Sequence, residues 1–319
     1  MRHLGTIPAR AWTRSPPGRG LGPTLRVAVL AVLVLVVGQS LAIAATPPPV
    51  PAPAKAPAAD PAKPAAPAAT APAPDPSPAA RAAVYPKPRT EMEALAKSNP
   101  LELLRVALKW YDERVLSYTC LFMKQENING ELRKPETMRM KFRASAFSVY
   151  VKWTGEQSKN QEVIYVEGSN DNKAVVHPAG ILGMIGRKVS VDPNSKLALK
   201  HSRRPITVAG MGNMLRLVIP QCETAKTNGD LALTYEGIRE EAGRPCYVFK
   251  RVLPNHKDYP CAILVTYIDV EYLVCCRTDA YDWNGDLIST YSYSDLIINA
   301  PLTDTDFNPD NREYGYRYF

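Results

Sequence analysis

Two short segments, Thr137-Met-Arg-Met-Lys-Phe-Arg143 and Ser148-Val-Tyr-Val-Lys-Trp153, decide how the chain is read. Successive side chains of a strand point to opposite faces of its sheet. In the first segment Met138, Met140 and Phe142 therefore face one way and Arg139, Lys141 and Arg143 the other. In the second, Val149, Val151 and Trp153 oppose Tyr150 and Lys152. If the two strands are neighbours, the six apolar side chains form one continuous surface. That surface is either close-packed core or the wall of a ligand cleft of about a few hundred Å3. The six are the candidate cavity residues.

The same alternation continues on both sides. Tyr118–Glu126 precedes it as a strand, joined through Asn129-Gly130, a strong signal for a two-residue hairpin turn. Glu162–Glu167 and Lys173–His177 form a further hairpin. After a break the strands resume at Leu231–Arg239, Cys246–Leu253, Ile263–Val270, Leu273–Tyr281 and Leu287–Ile297. A first helix starts at Asn99, a capping residue followed by Pro100, with Leu101, Leu104, Leu108, Tyr111 and Val115 on one face. A second is expected over 207–219, with Val208, Met211, Leu215 and Val218 aligned. The fold class is α+β, mainly β: a long antiparallel meander. Such a sheet must curl, close or be covered on one face.

Upstream, Arg2, Arg10, Arg14, Arg19 and Arg26 come with no acidic residue and lead into the apolar run Val27–Val37, which closes on Ala42-Ile43-Ala44. Residues 1–44 read as a signal peptide or, because Val27–Ala45 is just long enough to span a bilayer, as a retained signal anchor. Either places the rest outside the cytoplasm, in the periplasm or secreted. A retained leader would tether it to the membrane. Residues 45–90 are an alanine/proline tract that carries half of the 30 prolines. It has too little apolar bulk to offset ordering entropy and reads as a disordered linker. Residues 91–319 are the single globular domain.

The formal charge of +8 invites a nucleic-acid reading. The five leader arginines account for most of it, and the mild balance that remains excludes nucleic acid as the expected partner. Six cysteines, Cys120, Cys222, Cys246, Cys261, Cys275 and Cys276, show no C-x-x-C spacing. In an oxidising compartment at least one disulfide is expected among the last five, with Cys120 the buried free thiol if one pair does not form. No nucleophile elbow, metalloprotease motif, phosphate loop or dinucleotide fingerprint is present. His177, His201 and His256 are scattered, and Asp304, Asp306 and Asp310 lack the glycine and distal glutamate of a calcium loop. No catalytic residue, metal site or cofactor is assigned.

Several blocks resemble the extracytoplasmic domain-of-unknown-function family 1571: Tyr118-Thr-Cys-Leu-Phe-Met-Lys-Gln-Glu126, Met138-Arg-Met-Lys-Phe-Arg143, Phe147-Ser-Val-Tyr150 with Trp153, Val163-Ile-Tyr-Val-Glu-Gly168, Arg204-Pro-Ile206, Tyr291-Ser-Tyr-Ser-Asp-Leu296 and Leu302-Thr-Asp-Thr-Asp-Phe307. That family is similar to the LolA/LolB lipoprotein carriers. The resemblance implies an incomplete antiparallel barrel with a helical lid, its apolar concave face holding acyl chains. The lid is expected from Gly180–Gly186, with Met184 and Ile185, and from the second helix, with Met211 and Leu215. The implied role is a non-catalytic envelope module that binds a lipid or a lipidated protein. The alternatives are an envelope hydrolase with a spatially assembled site and a structural envelope interaction protein.

Overall fold

The computed structural model describes residues 89–180 and 188–316. The leader, residues 45–88 of the alanine/proline tract and the lid candidates Met184 and Ile185 lie outside these residues, whereas Arg89 and Thr90 of the tract belong to the first helix.

Two helices open the described chain, α1 (Arg89–Ser98) and α2 (Pro100–Arg114). The sequence reading did not foresee α1, which buries only Met92 and Ala96 and so leaves little periodicity to detect. Helix α2 starts as expected: Asn99 caps it, its side-chain oxygen accepting from the Glu102 N–H at 3.2 Å, and Pro100 occupies the first turn.

The strands are β1 (Ser117–Ile128), β2 (Glu131–Leu132), β3 (Glu136–Arg143), β4 (Ser148–Trp153), β5 (Glu162–Val166), β6 (Ala174–His177), β7 (Val189–Val191), β8 (Ala232–Glu241), β9 (Arg244–Val252), β10 (Ile263–Asp269), β11 (Cys275–Tyr281) and β12 (Leu287–Ile298). They form one sheet in the order β7-β6-β5-β4-β3-β1-β12-β11-β10-β9-β8, with β2 paired to β1. Every pairing is antiparallel. Strands β7 and β8 end the order without pairing to each other, so the described sheet is not closed. The Asn129-Gly130 turn has φ of 54° and 85°, the double positive φ that a two-residue hairpin needs.

Helix α3 (Met211–Asn228) differs from the expected 207–219 span. Residues Ile206–Val208 form a 3-10 turn instead, and the helix continues through Pro220. Proline in a helix interior removes one backbone bond and ordinarily ends the helix. Here the stripe Leu215, Val218, Ile219, Cys222 and Ala225 stays buried on both sides of it, and Gly229 caps the end at φ 79°.

The three helices pack on one face of the sheet. Met92, Leu103, Leu104 and Ala107 join Leu215, Ile219 and Cys222 over Tyr247, Phe249 and Ile268. The other face, at β4 and β5, is covered by the C-terminal segment, where Tyr150 and Ile164 pack with Phe307, Tyr314 and Tyr316. Tyr150 and Tyr314 stack at 4.1 Å. Among the described residues no helix is long and apolar enough to cross a membrane.

The expected disulfide is not formed: all six cysteines are free and buried. The Cys246 and Cys276 sulfurs come within 3.4 Å, against about 2.05 Å for a bonded pair. The reason is positional. Cys246 lies on β9 and Cys276 on β11, with β10 between them, so the two are not cross-strand neighbours. Burial pushes the Cys120 and Cys275 thiols well up.

Candidate ligand cavity

The helices leave part of the inner sheet face uncovered, and a cavity of about 1130 Å3 opens there. One wall is apolar and follows from register alone. Met140, Val151, Val163, Val176 and Val189 stand directly opposite one another across β3 to β7. Met138 pairs with Trp153 and Ala174 with Val191 in flanking rows. All of these side chains line the cavity.

Of the six candidate residues, Met138, Met140, Val149, Val151 and Trp153 lie on this wall. Phe142 does not. It stacks on Tyr118 with centroids 4.7 Å apart, and the chain entering α3 sits on that pair. A Cβ on Gly210 would lie 2.8 Å from the Phe142 ring, and the Gly210 φ of 114° also requires glycine. The Tyr118 hydroxyl accepts from the Met211 N–H at 3.2 Å.

Met211 and Leu215 also lie off the cavity, buried between α3 and its packing partners. The helix carries two stripes. The cavity receives Met214, Leu217, Val218 and Gln221, at i, i+3, i+4 and i+7 spacing. Of the expected stripe, Val208 and Val218 line the cavity, whereas Met211 and Leu215 do not. Met184 and Ile185 fall outside the described residues.

The rim carries a polar network. Lys124 Nζ donates to Glu126 Oε2 at 3.1 Å and to the His201 carbonyl at 3.2 Å. Glu126 also accepts from the Tyr291 hydroxyl and, at 3.2 Å, from the Arg203 N–H. Burial, reinforced by Glu126, pushes the Tyr291 hydroxyl up, so it stays a donor. Glu136 accepts from the Trp153 indole N–H at 2.6 Å. Each of these buried or half-buried carboxylates is satisfied.

Arg251 is the functional candidate that the sequence reading missed. It is 1 % exposed and lies on the cavity wall. One terminal guanidinium nitrogen donates to Gln221 Oε1 at 3.1 Å and the other to Cys261 Sγ at 3.2 Å. Its Nε has no partner. A signal was present in the strand Cys246–Leu253: alternation places Tyr247, Phe249 and Arg251 on one face, which puts a cation on an inward stripe. Ser158, Ser202, Ser289 and His201 also line the cavity. The Ser202 hydroxyl donates to the Arg204 carbonyl at 3.0 Å. Among the described residues no group of three His, Cys, Asp or Glu side chains is placed to hold a metal ion.

The model of a family described as "Protein of unknown function (DUF1571)" matches residues 115–316. Solved structures similar to this chain include the lipoprotein LppX of Mycobacterium tuberculosis, at 14% identity and TM-score 0.37, covering 65% of this chain and 99% of that one. A LolA superfamily protein of Nitrosomonas europaea matches at 11% identity and TM-score 0.26, covering 64% and 97%. The MucA/MucB complex of Pseudomonas aeruginosa matches at 14% and 0.37, covering 66% and 61%. No curated protein matches the sequence.

Proposed function

We propose that this chain, which belongs to the DUF1571 family, is a non-catalytic module of the cell envelope that binds the acyl part of a lipid or of a lipidated protein. The observation that carries the reading is the cavity itself. Its valine and methionine wall lies on the same sheet face that the helices elsewhere cover with side chains. An acyl chain laid against such an apolar wall gains about 0.8 kcal/mol per methylene removed from water. No bond is made or broken. The leader would export the module, and the alanine/proline tract would set its reach from the membrane.

The test is direct. The protein, purified natively from its own envelope and extracted with organic solvent, is expected to release an acyl lipid identifiable by mass spectrometry. A fluorescent sixteen-carbon acyl probe should also be displaced by unlabelled acyl chains. An empty extract together with a probe that never binds would refute the reading.

A further inference from the structure

We propose that the ligand of this cavity is an amphiphile with an acidic group, a carboxylate or a phosphate, that pairs with Arg251. The inference rests on the acyl-binding reading and adds what the other end of the ligand must be.

The argument begins with a charge that has no counter-charge. Arg251 is the one fully buried arginine among the described residues. A buried charge is costly unless it is paired, and an arginine cannot relieve that cost by losing its proton. Its two partners, an amide oxygen and a thiol, bring no negative charge, and one N–H of the fork is unused. The arginines on the opposite face of this sheet, less buried than Arg251, are treated differently. Arg244 is held by Asp269 and Glu271, and Arg277 by Asp279 and Glu241. The carboxylates nearest to the cavity are already engaged with Lys124, Tyr291 and Trp153. The described residues therefore supply no acid to Arg251.

The surroundings leave room for one from outside. Arg251 stands in a row across the sheet with Leu264, Ala280, Ser289 and Glu126. Ala280 and Ser289 are the small members of that row, and both line the cavity. Lys134, Arg203 and Arg204 line it as well, and none has a carboxylate at ion-pair distance among the described residues. The cavity thus has two ends of different chemistry. Its β3–β7 wall takes hydrocarbon; its β9–β12 wall offers a dry guanidinium with donors to spare, suited to a carboxylate or phosphate.

The test uses the full-length protein and a neutral fluorescent acyl probe. Competitors are hexadecanoic acid, hexadecanol, a sixteen-carbon lysophosphatidic acid and inorganic phosphate. The acid or the lysophosphatidic acid is expected to displace the probe at least about tenfold better than hexadecanol, as a charge-assisted hydrogen bond of about 1.5–3 kcal/mol requires. Whichever acidic amphiphile binds better identifies the headgroup. R251Q should remove the preference, so that both acids displace the probe no better than hexadecanol does on the same variant. Hexadecanol equal to both acids in the native protein would overturn the proposal while leaving the acyl-binding reading intact. So would a preference that survives R251Q, or displacement by inorganic phosphate as effective as by the acids. A probe that binds nowhere would overturn both readings. If R251Q fails to fold, the comparison of acid with alcohol on the native protein still decides.

Discussion

Replacing Val176 by Phe tests whether the apolar wall faces space or packed atoms. Val176 is half-buried on β6, between Val163 and Val189 in the row that crosses the wall. In a filled core, extra bulk costs about 1–3 kcal/mol, which for a domain of this size lowers the melting temperature by about 2–12 °C. On a wall that faces a cavity of about 1130 Å3 the ring has somewhere to go, and stability should change by about 0.5 kcal/mol or less. Ala107→Leu provides the contrast, because Ala107 is fully buried where α2 meets the sheet, and it should show the full core penalty. Binding should respond in the opposite sense. A phenyl ring that excludes about three methylenes of a ligand removes about 2.4 kcal/mol, a weakening of about 60-fold. Thermal denaturation and acyl-probe titration of both variants read the two effects. If V176F melts as low as A107L, the wall is core and the cavity reading is wrong. If V176F is stable and binds the probe within about twofold of native, the ligand does not use this wall.

Three further outcomes follow from other contacts. Gly212→Ala should lower the urea midpoint by the equivalent of about 1–3 kcal/mol with an unchanged slope, because a Cβ there would lie 2.3 Å from the buried Tyr111 ring. Asn299→Ala should cost about 1–3 kcal/mol: the Asn299 side chain accepts from the Leu116 N–H at 2.8 Å and donates to the Arg114 carbonyl at 2.8 Å, so its loss strands both ends of the α2–β1 connection. Asp306 is held below the ordinary aspartate range; burial opposes this, but the Lys141 ammonium at 2.7 Å and the Thr303 donors outweigh it. A depressed carboxyl adds stability above its unfolded value, about 3.9, and loses it as pH falls through the folded one. Asp306→Asn should therefore be less stable than native near neutrality, with the difference vanishing in acid; a pH-independent difference would refute the assignment.

The strands were legible where one face is buried and the other wet. In β3 and β4 apolar and polar residues alternate over consecutive positions, and β4 was placed at Ser148–Trp153 as observed. β7 has only three residues, Val189 to Val191, too few to show a period. α1 is short and buries two side chains. For α3, the expected span stops at 219, whereas tertiary packing carries the helix through Pro220 to Asn228. The wall of the cavity was readable because a wall and a core use the same side chains. Which of the two it is depends on what stands opposite, and that is set by where the helices stop, far away in sequence.

This is why Arg251 carries more information than the six apolar candidates. Tyr247, Phe249 and Arg251 are consecutive on one face of β9. The first two are covered by helices and belong to the packed cluster; the third lies at the cavity, with Gln221 of α3 beside it. The change from ring to guanidinium thus coincides with the end of the helical cover. An apolar residue at 251 would have extended the core at no electrostatic cost, and a buried cation is often matched or bettered in stability by a hydrophobe of similar volume. Arg251→Met should then leave the unliganded protein at least as stable as native. A loss of several kcal/mol would instead make Arg251 a structural strut whose amide and thiol contacts hold β9 to α3, and the ligand's acidic end would lose its rationale.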